Sequence, residues 1–531
     1  MPLAGIKNMV SKVAKKLQTT IIGGAITISF FTIIAKLLAL VRNQLLAFEY
    51  GAGNITDAYY AAFRLPDLVS NTLFVGALSV AFIPVFVEFI AQGEKVLQKG
   101  DHWKIANALL NTLLVIIIAV IVVLGVFAPS IIPHLVPGFD EQTLATTVSL
   151  TRLMLVGVFF LALSSVFSGI LQSYRRFHLF ALAPVLYNVG LIIGIVLAPR
   201  FGISMLGIGV ILGAALHMLI QAYDVFRIGY RYQLVIDFAN IHVKKIIFLM
   251  IPRMLGMIGN QLNQVVNTII ASTLITGSVA VYYWAFDLQS APYGIIAIPY
   301  AIAAFPVFAQ AFAKNKNEEF VSHFSTILRR ILYIIIPASI LILILRAQLV
   351  RLILGYGQFD WEDTVMTIRT LSLFIVSLFA QGIIPLLARS FYARHNTKTP
   401  VVVSLISIVI NIIGSIILAP RLGVAGLALS FSIASIFNAS ALWLLLRLEI
   451  GDLDDEKILR NVSKISIGAI ISGWLAYGTL YLAAGMVDTQ TVLGLFTQGT
   501  VATLVFGAVY IAYSWIANVE EFAVVKKLFN K

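Results

Sequence analysis

The sequence predicts an all-α polytopic membrane protein of about fourteen transmembrane helices, built as two homologous six-helix lobes with a C-terminal helix pair. Three observations lead there. First, of 531 residues 60% are hydrophobic and 11% charged, and the mean hydropathy is +0.96, whereas soluble domains hold about 25% charged residues. Second, the basic residues alternate from loop to loop. Third, short sequence echoes recur about 221 residues apart. The chain has no cysteine and only seven scattered histidines, which removes disulfides, thiolate ligands and cysteine nucleophiles and leaves no metal-ligand spacing. A net charge of +13 acts in such a chain as a topology signal, and no nucleic-acid partner is expected.

A membrane-crossing helix needs roughly 20 mainly apolar residues. A basic tail, 1–20, carries Lys7, Lys12, Lys15 and Lys16 before an apolar stretch too long for a cleavable leader. The first lobe, 21–226, holds spans at 21–48, 58–90, 104–128, 145–172, 178–198 and 204–226. An inner linker, 227–243, leads to the second lobe, 244–446, with spans at 244–274, 279–312, 322–346, 364–390, 399–419 and 424–446. A charged loop, 447–461, precedes the appended pair at 462–485 and 492–516, and a tail runs over 517–531. The second span contains Pro66 and Pro84, and the eighth contains Pro292, Pro299 and Pro306, so both should bend, with the freed carbonyls satisfied inside the protein.

With both termini cytoplasmic, 27 Lys and Arg fall on inner segments and only Arg200, Arg346, Arg351 and Arg421 on outer ones. That asymmetry is the positive-inside pattern, and an odd number of spans would scramble it. The repeat shows in LAPRFG at 197–202 and LAPRLG at 418–423, in FIPVF at 82–86 and AFPVF at 304–308, and in YYAAFRL at 59–65 and YYWAFDL at 282–288. Six spans per lobe is even, so the lobes share one orientation.

Six basic residues remain inside spans: Lys36, Arg42, Arg64, Arg152, Arg253 and Arg369. Ionisable residues at membrane depth point to a functional site. Arg42 follows Lys36 by six residues, near two turns, and Arg64 comes down the second span to a similar depth. With Arg253 from the seventh span they outline a cationic cavity suited to a phosphate or diphosphate headgroup, because guanidinium donors sit in a fixed fork. The competing structural account has these cations neutralised by Asp57, Asp67 and Glu88. GAGNITD at 51–57 reads as a turn in which Asn54 or Thr56 caps the next helix, with Asp57 near its positive end. In the eighth span, Asp287, Gln289 and Ser290 are placed to meet an arginine or line the cavity. Arg152 and Arg369, near span ends, read as snorkelling side chains. No metal site is expected, and Asn411 and Ser415 are weak sodium candidates that more often hydrogen-bond between helices. DLDDE at 452–456 reads as a solvated linker.

The run RNQLLAFEYGAGNITDAYYAAFRLPDLVSNTLFVGALSVAFIPVFVEF closely resembles the signature of the MurJ (MviN) lipid II flippase family, within the multidrug/oligosaccharidyl-lipid/polysaccharide (MOP) exporter superfamily that includes MATE transporters. The resemblance implies that the protein is a transporter rather than an enzyme. It would move an undecaprenyl-diphosphate-linked peptidoglycan precursor from the inner to the outer leaflet of the bacterial plasma membrane by alternating access, serving cell-wall biogenesis and cell shape. It implies cavity roles for Lys36, Arg42, Asp57 and Arg64, a lipid-tail groove in the last two helices, no cofactor, a membrane potential or coupled ion as driving force, and a monomer among membrane lipids. The sequence departs from the family pattern at Ser70 and Asn71, where two arginines are common, and at Asp287 and Ser290, where arginine and glutamate are. A flippase for another lipid-linked oligosaccharide, a drug exporter, a membrane enzyme of lipid-linked sugar assembly and a transport-dead scaffold are the alternative readings.

Overall fold

The computed structural model describes residues 21–72, 82–88, 101–235, 237 and 241–522, whose regular structure is helical, with no strand among them. Contacts divide the chain into two compact units, Met1–Thr273 and Leu274–Lys531. In the first unit the helices are α1 (Ile21–Tyr50), α2 (Asn54–Ala62), α3 (Arg64–Ser70), α4 (Asp101–Leu135), α5 (Glu141–Ser173), α6 (His178–Phe201), α7 (Ser204–Arg227) and α8 (Ile241–Ser272). In the second they are α9 (Ser278–Pro292), a π segment (Tyr293–Ala297), α10 (Ile298–Ala313), α11 (Asn317–Ile344), α12 (Arg346–Ile353), α13 (Trp361–Ile375), α14 (Leu378–Ala393), α15 (Lys398–Leu422), α16 (Val424–Ile450), α17 (Asp455–Ala484) and α18 (Val492–Ile516).

Eleven of the described helical stretches are long and apolar enough to cross a membrane, and α13 with α14, bent by 43° at their junction, makes a twelfth. The expected count of fourteen is not reached on this criterion. The second span lies partly outside the described residues. The seventh, α8, is a continuous 32-residue helix whose side chains are described only in part. That helix belongs to the first compact unit, where its contacts run to α3 and α4.

In the first unit α7 lies against both α5 and α6. The α6–α7 crossing is set by glycines at four-residue spacing. A Cβ on Gly190 would stand 2.2 Å from the Gly213 nitrogen, and one on Gly194 would stand 2.6 Å from the Gly209 Cα. Such small-residue stripes let backbones touch where lipid gives no hydrophobic driving force. The linker after α7 is pinned to α4: Asn107 Nδ2 donates to the Arg231 carbonyl at 2.9 Å, and Asn111 Nδ2 to the carbonyls of Gln233 and Val235 at 2.9 and 3.0 Å.

The second unit repeats the pattern with α15 on α16. Both repeat-related helices, α6 and α15, end at a glycine in the left-handed region, Gly202 (φ 95°) and Gly423 (φ 63°), whose N–H donates to Ala198 and Ala419 respectively. The eighth span does not break at its prolines. It runs from Ser278 to Ala313 as one stretch and absorbs Pro292 by widening into the π segment that begins at Tyr293.

The appended pair packs on α11. A Cβ on Gly468 would meet the Tyr513 ring at 2.3 Å and one on Gly473 would meet Ile340 at 2.8 Å, while Gly478 faces open space. Tyr510 donates to the Tyr333 carbonyl at 3.0 Å and Tyr333 to the Ser514 hydroxyl at 3.2 Å. Midway along α11, the buried Arg329 pairs with Glu520 at 2.8 Å and with Glu521. Lys457 joins Glu520 at 3.2 Å. Glu520 lies beyond the last span; burial pushes its carboxyl up, but its bonds and charges with Arg329 and Lys457 outweigh that and hold it below the usual glutamate range. The DLDDE segment is a clamp rather than a solvated linker. Asp454 accepts from Ser325 at 2.6 Å, Asp455 pairs with Arg447 at 2.8 Å, and Asp452 accepts from the Asp455 N–H at 3.1 Å.

Candidate functional site

The hairpin of α1 with α2 and α3 carries the cations singled out in the sequence. Its turn is organised by Thr56, whose hydroxyl accepts from the Gly53 N–H at 2.9 Å and reaches the Gly51 carbonyl at 2.8 Å. Gly51 takes φ 58°, and Asn54 is the first helical residue rather than a cap. Asp57 falls in the first turn of α2 and is buried, near the positive helix end.

One connected network joins α1 to α2 and α3. Arg42 donates to the Asn43 amide oxygen through Nε (3.1 Å) and Nη2 (2.8 Å). The Tyr60 hydroxyl donates to the same oxygen at 3.1 Å. Arg64 Nε donates to the Tyr60 carbonyl at 3.2 Å, across the break at Phe63, and its Nη2 meets Asp67 at 3.3 Å. A second carbonyl at that break, of Ala62, takes the Thr151 hydroxyl from α5 at 3.4 Å. The kink is thereby satisfied by side chains, as the membrane interior requires. Arg64, Asn43 and Tyr60 are buried and Arg42 is half-buried.

The structure separates the remaining sequence candidates. Lys36 is half-buried on α1 and makes no hydrogen bond or ion pair among the described residues. Six residues are about 1.7 helical turns, so it stands roughly 120° around α1 from Arg42 rather than on the same face. Arg253 lies on α8, and its side chain is outside the described residues. Asp287 is half-buried on α9 in the second unit, where its backbone carbonyl accepts from Ser290 at 3.0 Å. Gln289 is fully buried and exchanges two amide hydrogen bonds with Gln381, at 3.3 and 3.2 Å. Gln381 also donates to Ser377 at 3.0 Å, Ser377 donates to Ser432 at 2.9 Å, and Ser432 reaches the Leu373 carbonyl at 2.6 Å. That chain closes the bend between α13 and α14, as Arg64 and Thr151 close the break in the first unit. Asn411 and Ser415 are buried on α15 in the register that Gly190 and Gly194 occupy on α6. No cluster of three or more His, Asp or Glu able to hold a metal ion occurs among the described residues.

Asn43 and Tyr60 were missed by the charge-based reading because neither is ionisable. Their signal was positional: Asn43 adjoins Arg42, and Tyr60 lies one turn before Arg64. Together they hold the Arg42 guanidinium on one shared amide oxygen, while Arg64 meets the Asp67 carboxylate.

A sequence model of the family described as lipid II flippase MurJ matches residues 46–501. The chain belongs to the MurJ family. Lipid II flippase MurJ of Burkholderia cenocepacia is 29% identical over 432 residues, 80% of this chain and 83% of that protein. The probable lipid II flippase MurJ of Bdellovibrio bacteriovorus is 30% identical over 424 residues, 78% of this chain and 80% of that protein. Among solved structures, a lipid II flippase MurJ in an inward closed conformation superposes with a TM-score of 0.77 at 25% identity, covering 92% of this chain and 98% of that one. An inward-facing MATE transporter of the MOP superfamily shares the fold, with a TM-score of 0.68 at 18% identity over 79% of this chain and 96% of that one. The chain is therefore a multi-pass membrane protein of MurJ type, and its MOP-like architecture matches the class the sequence predicted.

Proposed function

We propose that this protein is a flippase that carries lipid II, a polyprenyl-diphosphate-linked peptidoglycan precursor, from the inner to the outer leaflet of a bacterial plasma membrane by alternating access. The observation that carries the reading is the Arg42–Asn43–Tyr60–Arg64 network, two guanidinium groups on a kinked intramembrane hairpin of a MurJ-family chain. In this mechanism the diphosphate takes the Arg42 donors from Asn43 and loosens the Arg64–Asp67 pair, while the lipid tail stays in the bilayer. Asn43 and Tyr60 position Arg42 for that exchange. Lys36, Asp57 and Arg253 contribute charge around the headgroup, and both termini face the cytoplasm, which the inner excess of Lys and Arg supports. An inside-negative potential favours outward movement of the anion by about 2.3 kcal/mol per charge per 100 mV. A coupled ion at Asn411 and Ser415 is the other available drive. No covalent step is required.

The test is complementation of a bacterium whose own lipid II flippase can be shut off. The wild-type gene should restore growth and shape, and Arg42→Ala and Arg64→Ala should fail at equal membrane abundance. Failure of the wild type, or full rescue by both variants, overturns the proposal.

A further inference from the structure

Outside the hairpin, the two units each present a cavity against the N-terminal half of a repeat-related helix. In the first unit a cavity of about 590 Å³ lies against α5 and is lined by Glu141, Leu144, Val148, Arg152 and Ser204. In the second a cavity of about 490 Å³ lies against α13 and is lined by Glu362, Val365, Arg369 and Ala425, among others. The linings correspond. An offset of 221, that of the LAPRFG and LAPRLG echo, carries Glu141 to Glu362, Leu144 to Val365, Val148 to Arg369 and Ser204 to Ala425. The arginines themselves differ by one helical turn on the same face, since Arg152 is four residues beyond Val148.

Each wall thus holds a carboxylate in the first turn and a guanidinium deeper down. Arg152 is eleven residues into α5 and Arg369 eight into α13, about 16 and 12 Å along the axis. Both arginines are exposed. Arg152 spends Nε on the Gly125 carbonyl at 2.9 Å, and neither arginine forms an ion pair among the described residues. Glu141 and Glu362 likewise have no side-chain partner there. Trp361, next to Glu362 and 68% exposed, is the kind of residue that marks the membrane–water interface. Snorkelling alone accounts for the arginines, and a favourable helix end for the acids. Neither accounts for a carboxylate at the repeat offset and a guanidinium within one turn of it recurring on one cavity wall, with apolar residues between them.

We infer that these cavities are a pair of repeat-related sites for a zwitterionic phospholipid with a primary ammonium headgroup, the chemistry of phosphatidylethanolamine. The phosphate sits on Arg152 or Arg369, the ammonium turns outward to Glu141 or Glu362, and the acyl chains lie along Leu144 and Val148 or along Val365. A lipid carrying both signs fits two opposite charges held apart, and the ammonium, unlike a quaternary choline, donates hydrogen bonds to a carboxylate. By the positive-inside count, both sites belong to the outer leaflet.

The experiment is native mass spectrometry of the full chain in detergent, titrated separately with palmitoyl-oleoyl phosphatidylethanolamine, phosphatidylcholine and phosphatidylglycerol. Wild type should retain two phosphatidylethanolamine molecules at least several-fold more strongly than the other two lipids. Glu141→Gln and Glu362→Gln should each abolish the ethanolamine preference of one molecule. Arg152→Gln and Arg369→Gln should each lose one molecule of any phospholipid. Equal retention of phosphatidylcholine, stronger retention of phosphatidylglycerol, or an unchanged ethanolamine preference in the double glutamate variant overturns the inference. The glutamates lie in helix first turns and are exposed, so their variants report even where an arginine variant unfolds. Lipid retention is read without any transport substrate, so this inference and the proposed function stand or fall separately.

Discussion

Asn43 is where the residue-scale chemistry of the hairpin concentrates, because one amide oxygen accepts from Arg42 twice and from Tyr60 once. Removing a single neutral hydrogen bond of this kind costs about 1 kcal/mol, or roughly a factor of five. Tyr60→Phe should therefore slow lipid II flipping about five-fold in proteoliposomes while leaving expression unchanged. Asn43→Leu should do worse, since it removes the acceptor of all three bonds. If Tyr60→Phe flips at the wild-type rate, the positioning role is wrong. Arg64→Lys tests the fork itself: lysine keeps the charge but cannot span the Tyr60 carbonyl and Asp67 together, so transport should fall toward the alanine level.

At the scale of elements, crossings and clamps carry the stability. A methyl group on Gly190 has no room beside Gly213, so Gly190→Ala should lower the unfolding free energy of the first unit by about 1–3 kcal/mol, measured by thermal denaturation in detergent. The anchor of the appended helix pair is more exacting. Arg329→Ala leaves Glu521 buried without its partner, which costs about 3–5 kcal/mol for a buried pair, and should free the α17–α18 hairpin to proteolysis. The same clamp predicts a pH dependence. The carboxyl of Glu520 is depressed in the folded state, so its contribution is present above the ordinary glutamate pKa and is lost as pH falls through the lower folded value. Hydrogen-exchange protection at 517–522 should accordingly decline on acidification below about pH 4.5. Protection that rises there instead would contradict the Arg329–Glu520 assignment. Asp454 and Asp455 belong to this clamp, so Asp454→Asn with Asp455→Asn should loosen the hairpin rather than abolish a catalytic step.

Across the whole molecule, the proposed transport predicts that flipping responds to an imposed potential, by up to about 2.3 kcal/mol per charge per 100 mV. Vesicles in which the rate ignores the potential would leave ion coupling as the drive. Much of this scale was legible in the sequence. Span length, alternation of basic loops and the repeat at 221 residues follow from composition and spacing alone, because each membrane span must satisfy its backbone internally and each loop must obey charge topology. Arg42 and Arg64 were legible for the same reason, as charges out of place. Other assignments required contacts. Lys36 and Arg42 are close in sequence yet diverge around a helix of 3.6 residues per turn. The partner of Gln289 is Gln381, ninety-two positions later. The DLDDE segment reads as solvent-exposed until Ser325 and Arg447 close on it.

By itself, then, the sequence determined the class of this protein, its repeat and the hairpin that carries its cations, since hydropathy, charge asymmetry and periodicity are properties of the chain in order. The tertiary structure alone decided which polar groups meet. It set Asn43 and Tyr60 at the centre of the hairpin network, drew α8 into the first unit, and raised Glu141 with Arg152 and Glu362 with Arg369 onto matching cavity walls. Hydrogen bonds and ion pairs act over about 3 Å, and at membrane depth a polar side chain is defined by the partner that folding brings to it.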